Sequence, residues 1–134
     1  MNYAVTRLIH FCYGHRLLNY DGKCRHPHGH NGRIEITIKR KSLDSLGMVM
    51  DFEEIKERVQ KWVDRELDHK MLLNEKDPLV GVLRGLDEPV VTMKGNPTAE
   101  AISRHIFDYA RAQKLPVARV RVWETVNSYA EYGA

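Results

Sequence analysis

The segment Cys24-Arg25-His26-Pro27-His28-Gly29-His30 gathers a thiol and three imidazoles into one short stretch. His28 and His30 differ by two, so on an extended chain they project to the same side. Two imidazoles at that spacing can close on one ion, and zinc takes neutral imidazole nitrogens at about 2.0–2.1 Å in tetrahedral geometry. Three protein ligands with one open position mark a catalytic zinc, whereas a structural module needs a fourth, such as Cys24 itself. By itself HxH is a weak pattern that also fits surface histidines in a polar loop. Spacing leaves the third ligand open. His15 competes with His26, which shares the parity of His28 and His30, and with His10.

Other residues suit proton chemistry or ligand anchoring. Cys24 lies between Lys23 and Arg25, and a nearby cation favours the thiolate, which serves as base or nucleophile. Asp68-His69 pairs a carboxylate with an imidazole, a common way to fix the tautomer of a proton carrier; the bland alternative is a helix-terminal turn. Glu124 ends an apolar series. A carboxylate in a buried register is costly unless it meets a donor, so it is either paired in the fold or kept for a ligand with N–H groups.

These residues need elements to position them. In residues 3–15 Tyr3, Val5, Ile9, Phe11, Tyr13 and His15 share one parity, the period of a half-buried strand, and His15 ends it. Residues 16–31 read as a loop, followed by a second strand in which Ile34, Ile36 and Ile38 alternate with polar residues. Asp51 precedes a helical pattern from Phe52 to Leu67, with Glu54 in a capping-box position and Glu54/Arg58 and Glu57/Lys61 at i,i+4. Thr98 is a suitable N-cap for a helix that must finish before Pro116. Residues 75–97 hold three glycines and three prolines and read as a long connection with one short helical turn near Leu79–Leu83. The last strand alternates Ala118, Val120, Val122 and Glu124 with Arg119, Arg121 and Trp123. Segregated strands and helices predict an α+β fold, a sheet with two helices on one face.

At 134 residues the chain has the length of a single domain, 1–134. Its 21 basic and 18 acidic residues are mixed along the chain, without the charge blocks of a nucleic-acid tail, and the net +3 suits a small anionic substrate better than DNA. No window approaches the roughly 20 apolar residues of a membrane span. With no export signal in MNYAVTRLIHFCYGH, the expected location is cytoplasmic, with Cys12 and Cys24 free.

The ordered set His15 in FCYGHRL, KCRHPHGH, GMVMDFEEIK, LDHKMLLN, NPTAE and VRVWET resembles the 6-pyruvoyltetrahydropterin synthase and 6-carboxytetrahydropterin synthase (QueD) family over nearly the whole chain. The resemblance implies His15, His28 and His30 as zinc ligands, Cys24 as catalytic thiol, and Asp68 and His69 as its proton-relay partners. It implies Glu124 as the anchor for the N–H groups of a pterin, with Thr98 and Glu100 near that ring. The implied fold is the T-fold, an antiparallel four-stranded sheet with two helices on one face, assembled into an oligomeric barrel. Such barrels are trimers or hexamers with active sites between subunits, so Glu124 need not come from the chain that supplies the zinc ligands.

Three residues between Cys24 and His28 match the carboxy type, since the pyruvoyl type tends to carry a longer insertion there. The implied reaction turns 7,8-dihydroneopterin triphosphate into 6-carboxy-5,6,7,8-tetrahydropterin, acetaldehyde and triphosphate, in the route to queuosine and other deazapurines. The alternatives are pyruvoyl-type elimination of triphosphate and a non-catalytic pterin-binding T-fold protein. Lys23, Arg25 or Arg7 would meet the triphosphate. The chain departs from the family pattern at Tyr13-Gly14, where two alanines are usual, at Asn31-Gly32, where an aromatic usually follows the histidine pair, and at Ala101, where asparagine is common.

Overall fold

The alternating stretches at residues 3–15 and 28–40 become two long strands, β1 (Tyr3–His15) and β2 (His28–Arg40), in a computed structural model that describes residues 1–134. They pair antiparallel from Tyr3↔Arg40 to His15↔His28. β5 (Val117–Thr125) joins β2, and β6 (Ser128–Gly133) joins β5, both antiparallel. This is the expected four-stranded antiparallel sheet, but it is not the whole sheet. Two short strands extend it beyond β1: β3 (Lys70–Asn74) runs parallel to β1, and β4 (Val90–Met93) runs parallel to β3, giving the order β4-β3-β1-β2-β5-β6. Neither strand has two clearly alternating faces, so no period marks them in the sequence.

The helices cover one face. Asp51 caps the first through a hydrogen bond from the Glu53 amide at 2.9 Å, and the helix runs through an α-helical turn α1 (Phe52–Ile55), a wider π-helical turn (Lys56–Gln60) and α2 (Lys61–Glu66). The i,i+4 pairs Glu54–Arg58 and Glu57–Lys61 form on its wet side, at 3.0 and 2.7 Å. Inside the expected 75–97 connection lies α3 (Leu79–Gly85), longer than the single turn foreseen. α4 (Ala99–Ala112) starts at Thr98, whose Oγ1 accepts the Ala101 amide at 3.1 Å.

Ile9, Phe11, Ile34, Ile36, Val120 and Val122 on the sheet meet Ile55, Val59, Val63, Ile102 and Ile106 on the helices in one buried core. Burying a side chain of this size contributes about 1.5–3 kcal/mol, so the core fixes which parity of β1 and β2 faces inward. That choice carries Tyr13, His15, His28 and His30 to the helix-facing side and leaves His10, Cys12 and Asn31 on the other. No helix is long and apolar enough to cross a membrane.

Candidate metal centre

The register that pairs β1 with β2 sets His15 directly opposite His28, and Tyr13 opposite His30. The three histidines therefore converge at the end of the strand pair, with one ligand nitrogen from each within 4.8 Å of the others. His15 Nε2 and His30 Nε2 are 3.2 Å apart. Two nitrogens on one tetrahedral zinc at about 2.0–2.1 Å stand about 3.3–3.4 Å apart, so the spacing suits such an ion.

Tautomers agree with that use. His15 Nδ1 lies 2.7 Å from the Pro97 carbonyl and His28 Nδ1 lies 2.7 Å from the His26 carbonyl. A carbonyl only accepts, so each Nδ1 carries the proton and each Nε2 keeps its lone pair, as ligating imidazoles require. His15 is 2% exposed. Burial lowers its pKa, against the opposing pull of the Pro97 bond and Glu124, and burial lowers that of His30 as well, so both favour the neutral form a metal needs.

The fold brings His15, and neither His10 nor His26, to His28 and His30. His10 is exposed and has the opposite strand parity, and His26 is exposed and lends its carbonyl to His28. The Cys24 thiol does not join the cluster, so the group has three protein ligands and no fourth.

Glu124 closes the view from these nitrogens. Its oxygens lie 3.8 Å from His15 Nε2 and 3.9 Å from His30 Nε2, within the same chain. The carboxylate follows Trp123, whose partner on β2 is Arg33, and so ends the inward series of β5 as the parity of Val120 and Val122 requires.

Cys24 sits in a 3₁₀ turn (Lys23–Arg25) held down by a hydrogen bond from the Leu17 amide to the Cys24 carbonyl at 2.8 Å. Its side chain is half-buried and hydrogen-bonds to neither Asp68 nor His69. Those two residues attach instead to Cys12: Asp68 Oδ1 accepts the Cys12 amide at 2.8 Å, and the His69 amide donates to the Cys12 carbonyl at 2.6 Å. Asp68 Oδ2 holds His69 Nδ1 at 2.8 Å, and the His69 backbone is left-handed at φ 59°. Burial raises the Asp68 carboxyl, but the bonds from the Cys12 amide and His69 outweigh it and hold the carboxyl below the ordinary range.

His69 is largely exposed and borders an open depression of about 650 Å3 with Cys12, Asn31, Lys70 and Glu88. Neither His15, Cys24 nor Glu124 lines that depression. His28 and His30 do border it, but the cluster of three imidazoles is set by the strand register rather than by this hollow. Within one chain the proposed relay pair and the thiol thus lie apart.

Thr98 spends its hydroxyl on the α4 cap, and Glu100 is exposed in the first turn of that helix. Arg7 bonds Gln60 at 3.2 Å, eight residues along β1 from His15, or about 26 Å on an extended strand, which removes it from any phosphate site beside the metal. Lys23 and Arg25 flank Cys24 and are exposed.

Several supporting groups have no signature in sequence. The Pro97 carbonyl orients His15, and Asn96 bonds both backbone groups of Leu18 at 2.9 Å, tying the approach to α4 against the chain just after His15. Asp77, with its side chain fully buried, takes both arms of Arg16, with Nε at 2.7 Å, and also accepts the Leu79 amide at 2.8 Å. Asp77→Ala is expected to cost about 2–3 kcal/mol, below the range for fully buried pairs because Arg16 is partly solvated. The hydrogen bond from Arg16 holds the Asp77 carboxyl below its ordinary value. A depressed carboxylate stabilises above its unfolded pKa and loses that contribution as pH falls through its folded one. The gap between wild type and variant in urea melts should therefore be full at pH 7 and shrink below about pH 4.

Comparison with known proteins was then decisive. Residues 4–134 match the family model described as 6-pyruvoyl tetrahydropterin synthase. The chain belongs to the 6-pyruvoyl tetrahydropterin synthase family. A family relative from Rickettsia bellii, named 6-carboxy-5,6,7,8-tetrahydropterin synthase, is 38% identical over 133 residues, covering 94% of this chain and 96% of its own. One of the same name from Haemophilus influenzae is 30% identical, covering 97% and 98%. Among solved structures, the family's T-fold appears in the 6-pyruvoyl tetrahydropterin synthase of Caenorhabditis elegans, with a TM-score of 0.76 at 20% identity over 100% of this chain and 96% of that one. An uncharacterised protein of Wolinella succinogenes superposes with a TM-score of 0.86 at 23% identity, covering 99% and 98%.

Proposed function

We propose that this chain is a zinc-dependent 6-carboxy-5,6,7,8-tetrahydropterin synthase, a carbon–carbon lyase that converts 7,8-dihydroneopterin triphosphate to 6-carboxytetrahydropterin, acetaldehyde and triphosphate in queuosine biosynthesis. The observation that carries the reading is Glu124 facing the metal-side nitrogens of His15 and His30, in a chain whose curated relatives bear that enzyme's name.

His15, His28 and His30 hold the ion, with Pro97 and His26 fixing two of the rings. When bound, zinc supplies a Lewis acid for side-chain oxygens of the substrate. Glu124, an acceptor only, takes the ring N–H and 2-amino group and so orients the substrate's side chain. Cys24 moves the carbon-bound proton, and the turn at Lys23–Arg25 sets its approach. Asp68 keeps His69 Nδ1 protonated and its Nε2 free to exchange protons at the other face of the substrate.

Because His69 leaves its own chain's sheet beside Cys12, on the side opposite His15, it serves the site of an adjacent subunit. The working form is accordingly a cytoplasmic homo-oligomer, a trimer or hexamer with sites between subunits. Thr98 and Glu100 border the ring through the first turn of α4.

Incubation of the zinc-loaded protein with dihydroneopterin triphosphate, followed by mass analysis, tests the assignment. Acetaldehyde and the carboxy product are expected. A product retaining the full carbon chain would assign the pyruvoyl type instead, and unchanged substrate would sink the enzymatic reading.

A further inference from the structure

Tyr13 stands where its strand register places a side chain against the metal cluster, and its ring lies 5.2 Å from that of His15 and 5.5 Å from that of His30. Tyr13 is 3% exposed, and its hydroxyl, shut away from solvent, has no hydrogen-bond partner. A buried hydroxyl left unpaired costs about 1–3 kcal/mol, a cost that folding alone does not explain. The ring has been given room. It stacks on Phe11 with centroids 4.8 Å apart, and across the strand is Gly32, where an added Cβ would meet Phe11 at 2.7 Å and Tyr13 at 3.0 Å. Any larger residue at 32 would displace Phe11 and press on the Tyr13 ring. The aromatic thus reaches the site from β1 over a glycine on β2.

Glu124 is the other half of the observation. Its carboxylate lies across the metal-side nitrogens. The phenol and that carboxylate thus flank the same histidine cluster.

We propose that Tyr13 is a substrate-contacting residue, its hydroxyl donating a hydrogen bond to an acceptor atom of a pterin bound beside the metal histidines and Glu124, with Gly32 leaving room for the donor's ring. This rests on the pterin reading of the site and adds a specificity determinant to it.

The test compares zinc-loaded wild type and Tyr13→Phe by zinc content, thermal unfolding and calorimetric titration with dihydroneopterin triphosphate, read before turnover at low temperature. Tyr13→Phe is expected to keep its zinc, to unfold at the same temperature or a few degrees higher because an unpaired hydroxyl is gone, and to bind the pterin about tenfold more weakly. The opposite signs of the two effects identify a donor reserved for ligand. A lower melting temperature with unchanged affinity would show a hydroxyl that serves the fold, and would overturn the proposal. So would unchanged affinity alone. If wild type itself binds no pterin, it is the functional assignment that fails.

Discussion

His15→Ala should yield a folded protein that retains almost no zinc and almost no activity. Loss of an outer partner of a metal ligand already weakens binding by about 10–100-fold, and loss of a ligand itself costs more. His15 is the most enclosed of the three, packed between the end of β1 and the Pro97 carbonyl, so its removal also leaves that carbonyl without a donor and opens a small void. A drop in stability of about 1–3 kcal/mol is expected with the metal loss. His28→Ala separates the two effects, because His28 is only half-buried and its Nδ1 partner, the His26 carbonyl, lies in an exposed turn. That variant should lose zinc while the metal-free protein keeps its melting temperature. Metal analysis of dialysed protein and thermal melts of the metal-free forms measure both. Full zinc occupancy in either variant would mean that the ion is held elsewhere.

Replacing Cys24 by alanine is expected to lower turnover by about three orders of magnitude, the middle of the range for a proton-transferring group, with zinc content unchanged. The separation follows from geometry, since the thiol is outside the cluster of three nitrogens while its turn is anchored through the backbone, by the bond from Leu17 to its carbonyl. Alanine leaves that bond intact. Cys24→Ser should recover little, a hydroxyl being a much weaker acid than a thiol. Single-turnover rates and metal analysis check this. Loss of zinc would make Cys24 a ligand of a structural module, and an unaltered rate would point to a pterin-binding protein without catalysis.

The histidine cluster was legible in part because two periodicities agree, although only the family resemblance set His15 above His26 and His10. The HxH pair and the alternation leading to His15 both express the two-residue repeat of a strand, and antiparallel pairing turns shared parity into convergence. The antiparallel core of the sheet and both long helices follow from the same patterns and from the caps Asp51 and Thr98. β3 and β4 were not legible: both are short, Lys70–Asn74 has no clean alternation, and Val90–Met93 lies in the 75–97 stretch whose glycines and prolines read as loop. Gly14 shows what a sequence hides. An added Cβ there would meet Met71 of β3 at 3.0 Å, a constraint set by a strand more than fifty residues away. Backbone acceptors such as Pro97 leave no trace in residue type, since every residue has a carbonyl. The attachment of Asp68 and His69 to the backbone of Cys12 is likewise set by the pairing of distant segments, which a linear motif does not record.

The facing pair His15 and His28 also delimits everything between them. The segment 16–27 leaves and re-enters the sheet at two facing members of the histidine cluster, so its ends are held together by the strand ladder independently of its own conformation. Lengthening such a segment costs little in closure entropy, about 0.6 kcal/mol per doubling. Cys24 rides on that clasped segment, whereas the histidines belong to the ladder that closes it. On the proposed assignment, reactivity and metal affinity are thereby modular: an insertion or deletion in 16–27 would re-aim the thiol and leave the seat of the ion unaltered.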